Sequence, residues 1–207
     1  MSDEIKKLHL GCGRNILKGW INTDIKPSIE RYRVNATHLD VTEKFSYENN
    51  EIDYIFSEHM IEHISYESGK FMLEECYRVL KPGGKIRIST PDLKFLINLY
   101  NENKTDLQKE YINYCMGHDA YDIIEPMDTF IINNFVRAWG HIFIYDEKTL
   151  KFLLDSIGFK DIKLCKITES DDEHLRNLEN IDDPTNKRYG LTKEILQFET
   201  FTLEGTK

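Results

Sequence analysis

Leu8-His9-Leu10-Gly11-Cys12-Gly13-Arg14-Asn15, followed at position 24 by an aspartate, is the stretch on which the fold turns. Its first three residues alternate apolar, polar, apolar, the pattern of the end of a short strand. Gly11 and Gly13 permit a sharp turn and let the backbone approach a ligand, because neither carries a Cβ. Residues 15–18 leave room only for a short helix before Gly19, and residues 20–25 read as a second strand with Asp24 at its carboxyl end. In a nucleoside-binding turn of this layout, glycines bring backbone to one end of the ligand. A carboxylate then accepts hydrogen bonds from the ribose hydroxyls.

Outward from that turn, strand and helix signals alternate, which predicts an α/β fold with a parallel sheet. Residues 38–41 form a short third strand carrying Asp40. Residues 52–57 form a fourth, followed at once by Glu58-His59-Met60-Ile61-Glu62-His63-Ile64 in a loop or short helix. Residues 66–80 are helical, with Phe71, Cys76, Tyr77 and Leu80 on one side. Lys81-Pro82-Gly83-Gly84 stops that helix in a tight turn, and residues 85–90 alternate as a fifth strand. After helical residues 93–103 the simple alternation fails. Residues 104–138 read as an insertion rich in aromatic and polar groups, among them Tyr111, Tyr114, Met116, His118, Asp119 and Tyr121. Asp146 is a good N-cap for a helix over 147–156. Gly158 ends it, and residues 161–167 form a sixth strand. Residues 169–189 read as an acidic loop and 194–203 as a final strand. The acidic run at 170–173 reads as a solvated face.

The chain has 207 residues, 40% of them hydrophobic and 30% charged, which suits a single domain over residues 1–207 that can build a core. A net charge of −9 opposes binding to phosphate backbones, so nucleic acid is not the expected substrate. There is no apolar run of about 18 residues, so no membrane span is expected. The acidic start lacks the apolar core of a signal peptide. The four cysteines, Cys12, Cys76, Cys115 and Cys165, are far apart. That spacing argues against a zinc site or disulfide framework and for reduced thiols in the cytoplasm. Cys12 reads as a small packed residue.

Several motifs together resemble a known family. Residues 8–13 look like motif I of the Rossmann-like, class I S-adenosylmethionine-dependent methyltransferases. Residues 52–64 look like their fourth-strand motif, and residues 78–85 like the turn before their fifth strand. Gly140-His141 with Tyr145-Asp146, and Gly158-Phe159, look like the type 11 branch. The likeness covers residues 5–167. It implies a seven-stranded, mostly parallel sheet with helices on both faces and S-adenosylmethionine across the carboxyl ends of the strands. Carried over by position, Gly11, Cys12 and Gly13 face the methionine part. Asp24, with Ile25 beside it, holds the ribose hydroxyls. Leu39 and Asp40 lie beside adenine, and Ser57 and Glu58 give backbone contacts near the sulfonium. The third glycine of motif I is replaced by Asn15, and 13 positions separate Gly11 from Asp24, against about 20 in the general nucleotide fingerprint.

These readings predict transfer of a methyl group to a small molecule or glycan precursor at oxygen, with residues 104–138 as the substrate wall and a homodimer as one assembly. A hydroxyl acceptor needs a base, and histidine suits that role near neutrality. His59, His141 and Tyr145 are the candidates for catalysis. His59-Met60-Ile61-Glu62-His63 also matches H-x-x-E-H, a zinc-binding pattern when it lies on a long helix with a third ligand. Here it directly follows a strand, so no metal is expected and His63 reads as a packing or hydrogen-bonding residue at the start of the helix. Two other readings stay open. A nicotinamide-dependent oxidoreductase would need a fuller glycine fingerprint than one with Ile16. A non-catalytic partner of an active homologue would bind cofactor without turnover.

Overall fold

Strand β1 (Lys7–Leu10) ends at the glycine pair. β2 (Ile21–Asp24) and β3 (Thr37–His38) lie on one side of it, and β4 (Ile52–Glu58) on the other. With β5 (Leu80–Pro91), β6 (Lys160–Cys165) and β7 (Thr200–Thr206) they form one seven-stranded sheet in the order β3-β2-β1-β4-β5-β7-β6. This is a computed structural model, and it describes residues 4–118, 125, 127–180 and 193–207. β1 to β5 pair in parallel, and β7 runs antiparallel between β5 and β6. The mostly parallel Rossmann-like α/β sheet expected from the sequence is the one observed.

The chain leaves β1 towards β2 and β3, then returns to place β4 beside β1. The reversal opens a crevice outside the carboxyl ends of β1 and β4, the usual ligand position in open α/β sheets. Leu10 pairs with Ser57 there, which brings the glycine turn level with Glu58 and His59.

The helices are α1 (Lys26–Tyr32), α2 (Tyr66–Val79), α3 (Leu93–Asn98), α4 (Asp106–His118), α5 (Asp128–Arg137), α6 (Glu147–Ile157) and α7 (Lys193–Glu199). The main core lies between α2, α6 and one face of the sheet, and includes Leu8, Leu10, Ile55, Met72, Leu150 and Leu154. Ser65 caps α2 by accepting from the Ser68 amide, and Asp146 caps α6 by accepting from Thr149 at 2.7 Å. The opposite face is covered by residues that follow β6. Leu175 and Leu178 pack on Phe56, and Arg87 is wholly buried between Glu179 and Glu204 at 2.6 Å each. A second apolar cluster joins α3, α4, α5 and α7 through Phe95, Tyr111, Phe135 and Ile195.

Several local expectations need correction. Residues 15–18 form turns and irregular chain, and the helix comes after Asp24. Pro27 sits in its first turn, where its missing amide costs nothing. The third strand is only Thr37–His38, so Leu39 and Asp40 lie beyond it. α3 stops at Asn98. The last segment is not one strand: 193–199 is helical because Ile195 and Phe198, three apart, both reach the second cluster. Glu75, outside the apolar set of α2, is nonetheless buried and bonds both Arg78 and the Phe45 amide. The acidic run at 170–173 is anchored, with Asp172 accepting from Lys85 at 2.7 Å.

Candidate functional site

Both glycines of the turn have positive φ, +63° at Gly11 and +52° at Gly13, a region where a side chain is strained. A Cβ on Gly11 would overlap the Met60 side chain, whereas one on Gly13 would meet only open space. The turn is held by Asp24. Its Oδ2 accepts from the Gly13 amide and its Oδ1 from the Ile25 amide, both at 2.8 Å.

Two cavities meet at this turn. The first, about 510 Å³, is bounded by Asp24, Ile25, Leu39, Asp40, His63 and Trp139. The second, about 330 Å³, is bounded by Cys12, Asn15, Glu58, Asn180, Glu199 and Thr200. Gly11, Gly13 and His59 line both. A larger hollow of about 870 Å³ runs along α6 and β6 past Lys151, Phe152 and Leu164, and shares no residue with either.

The first cavity suits a nucleoside. Each Asp24 oxygen has spent one acceptor position on the backbone, and a carboxylate offers about four, so acceptors remain for ribose hydroxyls. Asp40 binds Thr42 through Oδ1, from its amide at 2.9 Å and its hydroxyl at 2.7 Å. Those bonds hold its carboxyl below the usual range. Leu39, Val41, Met60 and Ile64 give the same cavity an apolar wall for a base.

The second cavity is polar. Glu58 accepts from Asn15 at 3.2 Å and from the Asn180 amide at 3.0 Å. Burial, reinforced by Glu179, raises its carboxyl to about 7. Burial also raises Glu199 to about 7, against a bond from Tyr111. The Cys12 thiol, 3% exposed, is pushed up to about 11 by burial and then by Asp24, so it is no nucleophile near neutrality.

His59 stands at the junction with φ +44°, its amide bound to the Ser89 carbonyl at 2.9 Å. Its Nε2 lies 2.9 Å from Thr200 Oγ1 and its Nδ1 3.7 Å from Glu62 Oε1. Burial, then His141 and His63, lower its pKa well below the ordinary histidine value, so the ring is neutral near pH 7.

The other expected residues lie elsewhere. Ser57 is buried within β4 and lines neither cavity. Tyr145 is wholly buried in the main core, its ring on Phe143 and its hydroxyl against Gly69, and burial raises its pKa. Its aromatic bulk packs the core and does not face the crevice. His141 lines neither cavity; its Nδ1 donates to the Phe135 carbonyl at 2.6 Å, and its ring lies 5.0 Å from that of His63. The side chain of His118, with Asp119 and Tyr121, falls outside the described residues.

Glu62 and Glu199 were not singled out for the site. Glu62 is fully buried on a tight turn, Ile61–His63, with Oε2 accepting from Thr90 Oγ1 at 3.1 Å; burial raises it to about 8. The sequence flagged it only within H-x-x-E-H. Glu199 ends α7, a helix the sequence reading had as strand.

Solved structures of similar fold include several methyltransferases. An Archaeoglobus fulgidus S-adenosylmethionine-dependent methyltransferase matches over 99% of this chain and 87% of its own, at 22% identity and a TM-score of 0.55. One from Mesorhizobium loti matches over 98% and 91%, at 14% and 0.56. Haemonchus contortus phosphoethanolamine N-methyltransferase 2, solved with S-adenosylmethionine, matches over 100% of this chain and 49% of its own, at 19% and 0.53. The fold is the Rossmann-like one that these S-adenosylmethionine-dependent methyltransferases share. Residues 8–88, less than half of the chain, match the family model described as a methyltransferase domain. That span runs from β1 into β5 and contains every residue expected to contact the cofactor. Comparison with curated proteins gives no match.

Proposed function

We propose that this chain is an S-adenosylmethionine-dependent methyltransferase that acts on a small molecule or glycan precursor, at oxygen. The observation that carries the reading is the place of His59, whose imidazole stands on the wall shared by the two cavities with Nε2 2.9 Å from Thr200 Oγ1. When bound, S-adenosylmethionine supplies an electrophilic methyl: its carbon–sulfur bond breaks as the bond to the acceptor forms, and sulfur keeps the electron pair. Asp24 and Asp40 would hold the nucleoside in the first cavity, with Leu39 and Ile25 beside it. Gly11, Cys12 and Gly13 would flank the methionine part. The second cavity would take the rest of that group together with the acceptor. His59 would take the hydroxyl proton while Thr200 fixes its ring, and alignment of the reactants supplies much of the rate.

Residues 104–138 would form the outer wall of the acceptor site. Their helices α4 and α5 share an apolar cluster with α7, and α7 contributes Leu196 and Glu199 to the second cavity. The net charge of −9 favours an acceptor without a phosphate backbone. Glu58 and Glu199 in one cavity favour a second reading, a cationic amine acceptor. Measuring S-adenosylhomocysteine release over a panel of sugars, phenols, hydroxy acids and amines tests both. Turnover confined to hydroxyl compounds and lost in His59→Ala supports the first. Turnover on amines with His59→Ala fully active overturns it.

A further inference from the structure

Three imidazoles and one carboxyl gather where the tight turn of residues 61–63 meets residues 138–142. Glu62 has no exposed side-chain surface, and its Oε1 has no hydrogen-bond partner among the described residues. A buried carboxyl oxygen is normally matched, so this one calls for an explanation. It lies 3.7 Å from Nδ1 of His59 and 3.9 Å from Nε2 of His63, too far for hydrogen bonds. Glu62, His63 and His141 each offer one donor atom, all within 4.8 Å of one another. Because Nδ1 of His141 donates to the Phe135 carbonyl at 2.6 Å, its Nε2 carries the lone pair. A hydrogen bond of that kind fixes the tautomer and direction of metal-binding imidazoles.

We propose that Glu62, His63 and His141 form a binding site for a divalent transition metal of the zinc class. Two imidazoles and a carboxylate are a familiar set for an ion that keeps one position open. Around a tetrahedral ion with bonds of about 2.0–2.2 Å the donors sit about 3.4 Å apart, so the present group needs to close by about an ångström. His63 also lines the first cavity, so the open position gives onto the crevice. The H-x-x-E-H run pointed to His59 and His63 as a helical pair. The turn breaks that pairing, and the third ligand comes from a distant part of the chain. The site stands independently of the acceptor and of methyl transfer.

The test uses untagged full-length protein stripped with a chelator. Zinc is titrated by calorimetry, and cobalt(II) is followed by visible absorption. The expected result is one zinc per chain and the intense visible bands of four-coordinate cobalt. His141→Ala and His63→Ala each weaken zinc binding by more than about tenfold. His174→Ala, whose ring packs on Tyr54, leaves it unchanged. Absence of zinc binding, or equal affinity in His141→Ala, overturns the proposal. So does a wild-type cobalt complex without four-coordinate bands, which requires no variant to fold. S-Adenosylhomocysteine titrated into the same samples separates failure of this site from failure of the methyltransferase reading.

Discussion

Replacing Asp24 by alanine tests the turn and the ribose site at once, and asparagine separates them. Asp24 accepts two backbone amides at 2.8 Å. In Asp24→Ala both lose their partner, at about 1–3 kcal/mol for a donor that becomes buried and unmatched. The Gly13 amide bears most of this, since Ile25 is exposed and water can replace its bond. A loss of about 1–2 kcal/mol lowers the melting temperature by about 2–8 °C in a chain of this size. Ribose hydroxyls bonding to the remaining acceptor positions lose charged partners worth about 1.5–3 kcal/mol, so affinity for S-adenosylhomocysteine falls by about 10- to 150-fold. Asp24→Asn keeps one carbonyl acceptor for the Gly13 amide. It should recover most of the stability while leaving binding weakened, since the charge is gone. Calorimetric titration and thermal unfolding on the three proteins give both quantities. Undiminished affinity in Asp24→Ala, with only its melting temperature lowered, would refute the ribose assignment and leave Asp24 as a brace for the turn.

Glu58 gives a pH-dependent prediction. Its folded pKa is raised from 4.5 to about 7, so the folded chain keeps a proton that the unfolded chain releases between those values. Its contribution to stability is therefore full below about pH 4.5 and is lost as pH rises to about 7, by about 3 kcal/mol in all. Glu58→Gln stays neutral, so its advantage over wild type should be absent near pH 4.5 and present at pH 8, as read by denaturant unfolding; a constant difference contradicts the raised pKa. Arg87→Met leaves Glu179 and Glu204 buried without their partner and should cost about 3–5 kcal/mol, seen as a lower denaturation midpoint. Gly11→Ala meets Met60 at a positive φ and should lose about 1–3 kcal/mol together with cofactor affinity; Gly13→Ala, with open space around it, should lose less stability.

The half of the chain up to β5 was legible because its information is local. Alternation marks the strands, two glycines mark the turn, and carboxylates sit where strands end. That places Asp24, Asp40 and His59 around one crevice. The rest depends on what packs over it. Lys85-Ile86-Arg87-Ile88-Ser89 reads as a strand with one wet face, yet Arg87 and Ser89 are buried because residues 166–180 fold over them. Nothing local in β5 announces that cover. Tyr145 looked like a catalytic phenol by sequence position, but its ring fills a space beside Gly69 and Phe143 that no one-dimensional pattern describes. Glu62 and His141 meet only through tertiary folding, as the Glu62 carbonyl accepts from the Ile142 amide at 2.7 Å. Residues 193–199 were misjudged because a short apolar run fits both periods, and burial against α3 and α5 decided it.

The most direct measurement is a crystal structure grown with S-adenosylhomocysteine. The account predicts the nucleoside in the first cavity, its ribose on Asp24 and its base beside Leu39 and Asp40, with the sulfur at the junction near His59. A nucleoside lodged along α6 and β6, or a glycine turn closed over a crevice too narrow to admit it, would contradict the account.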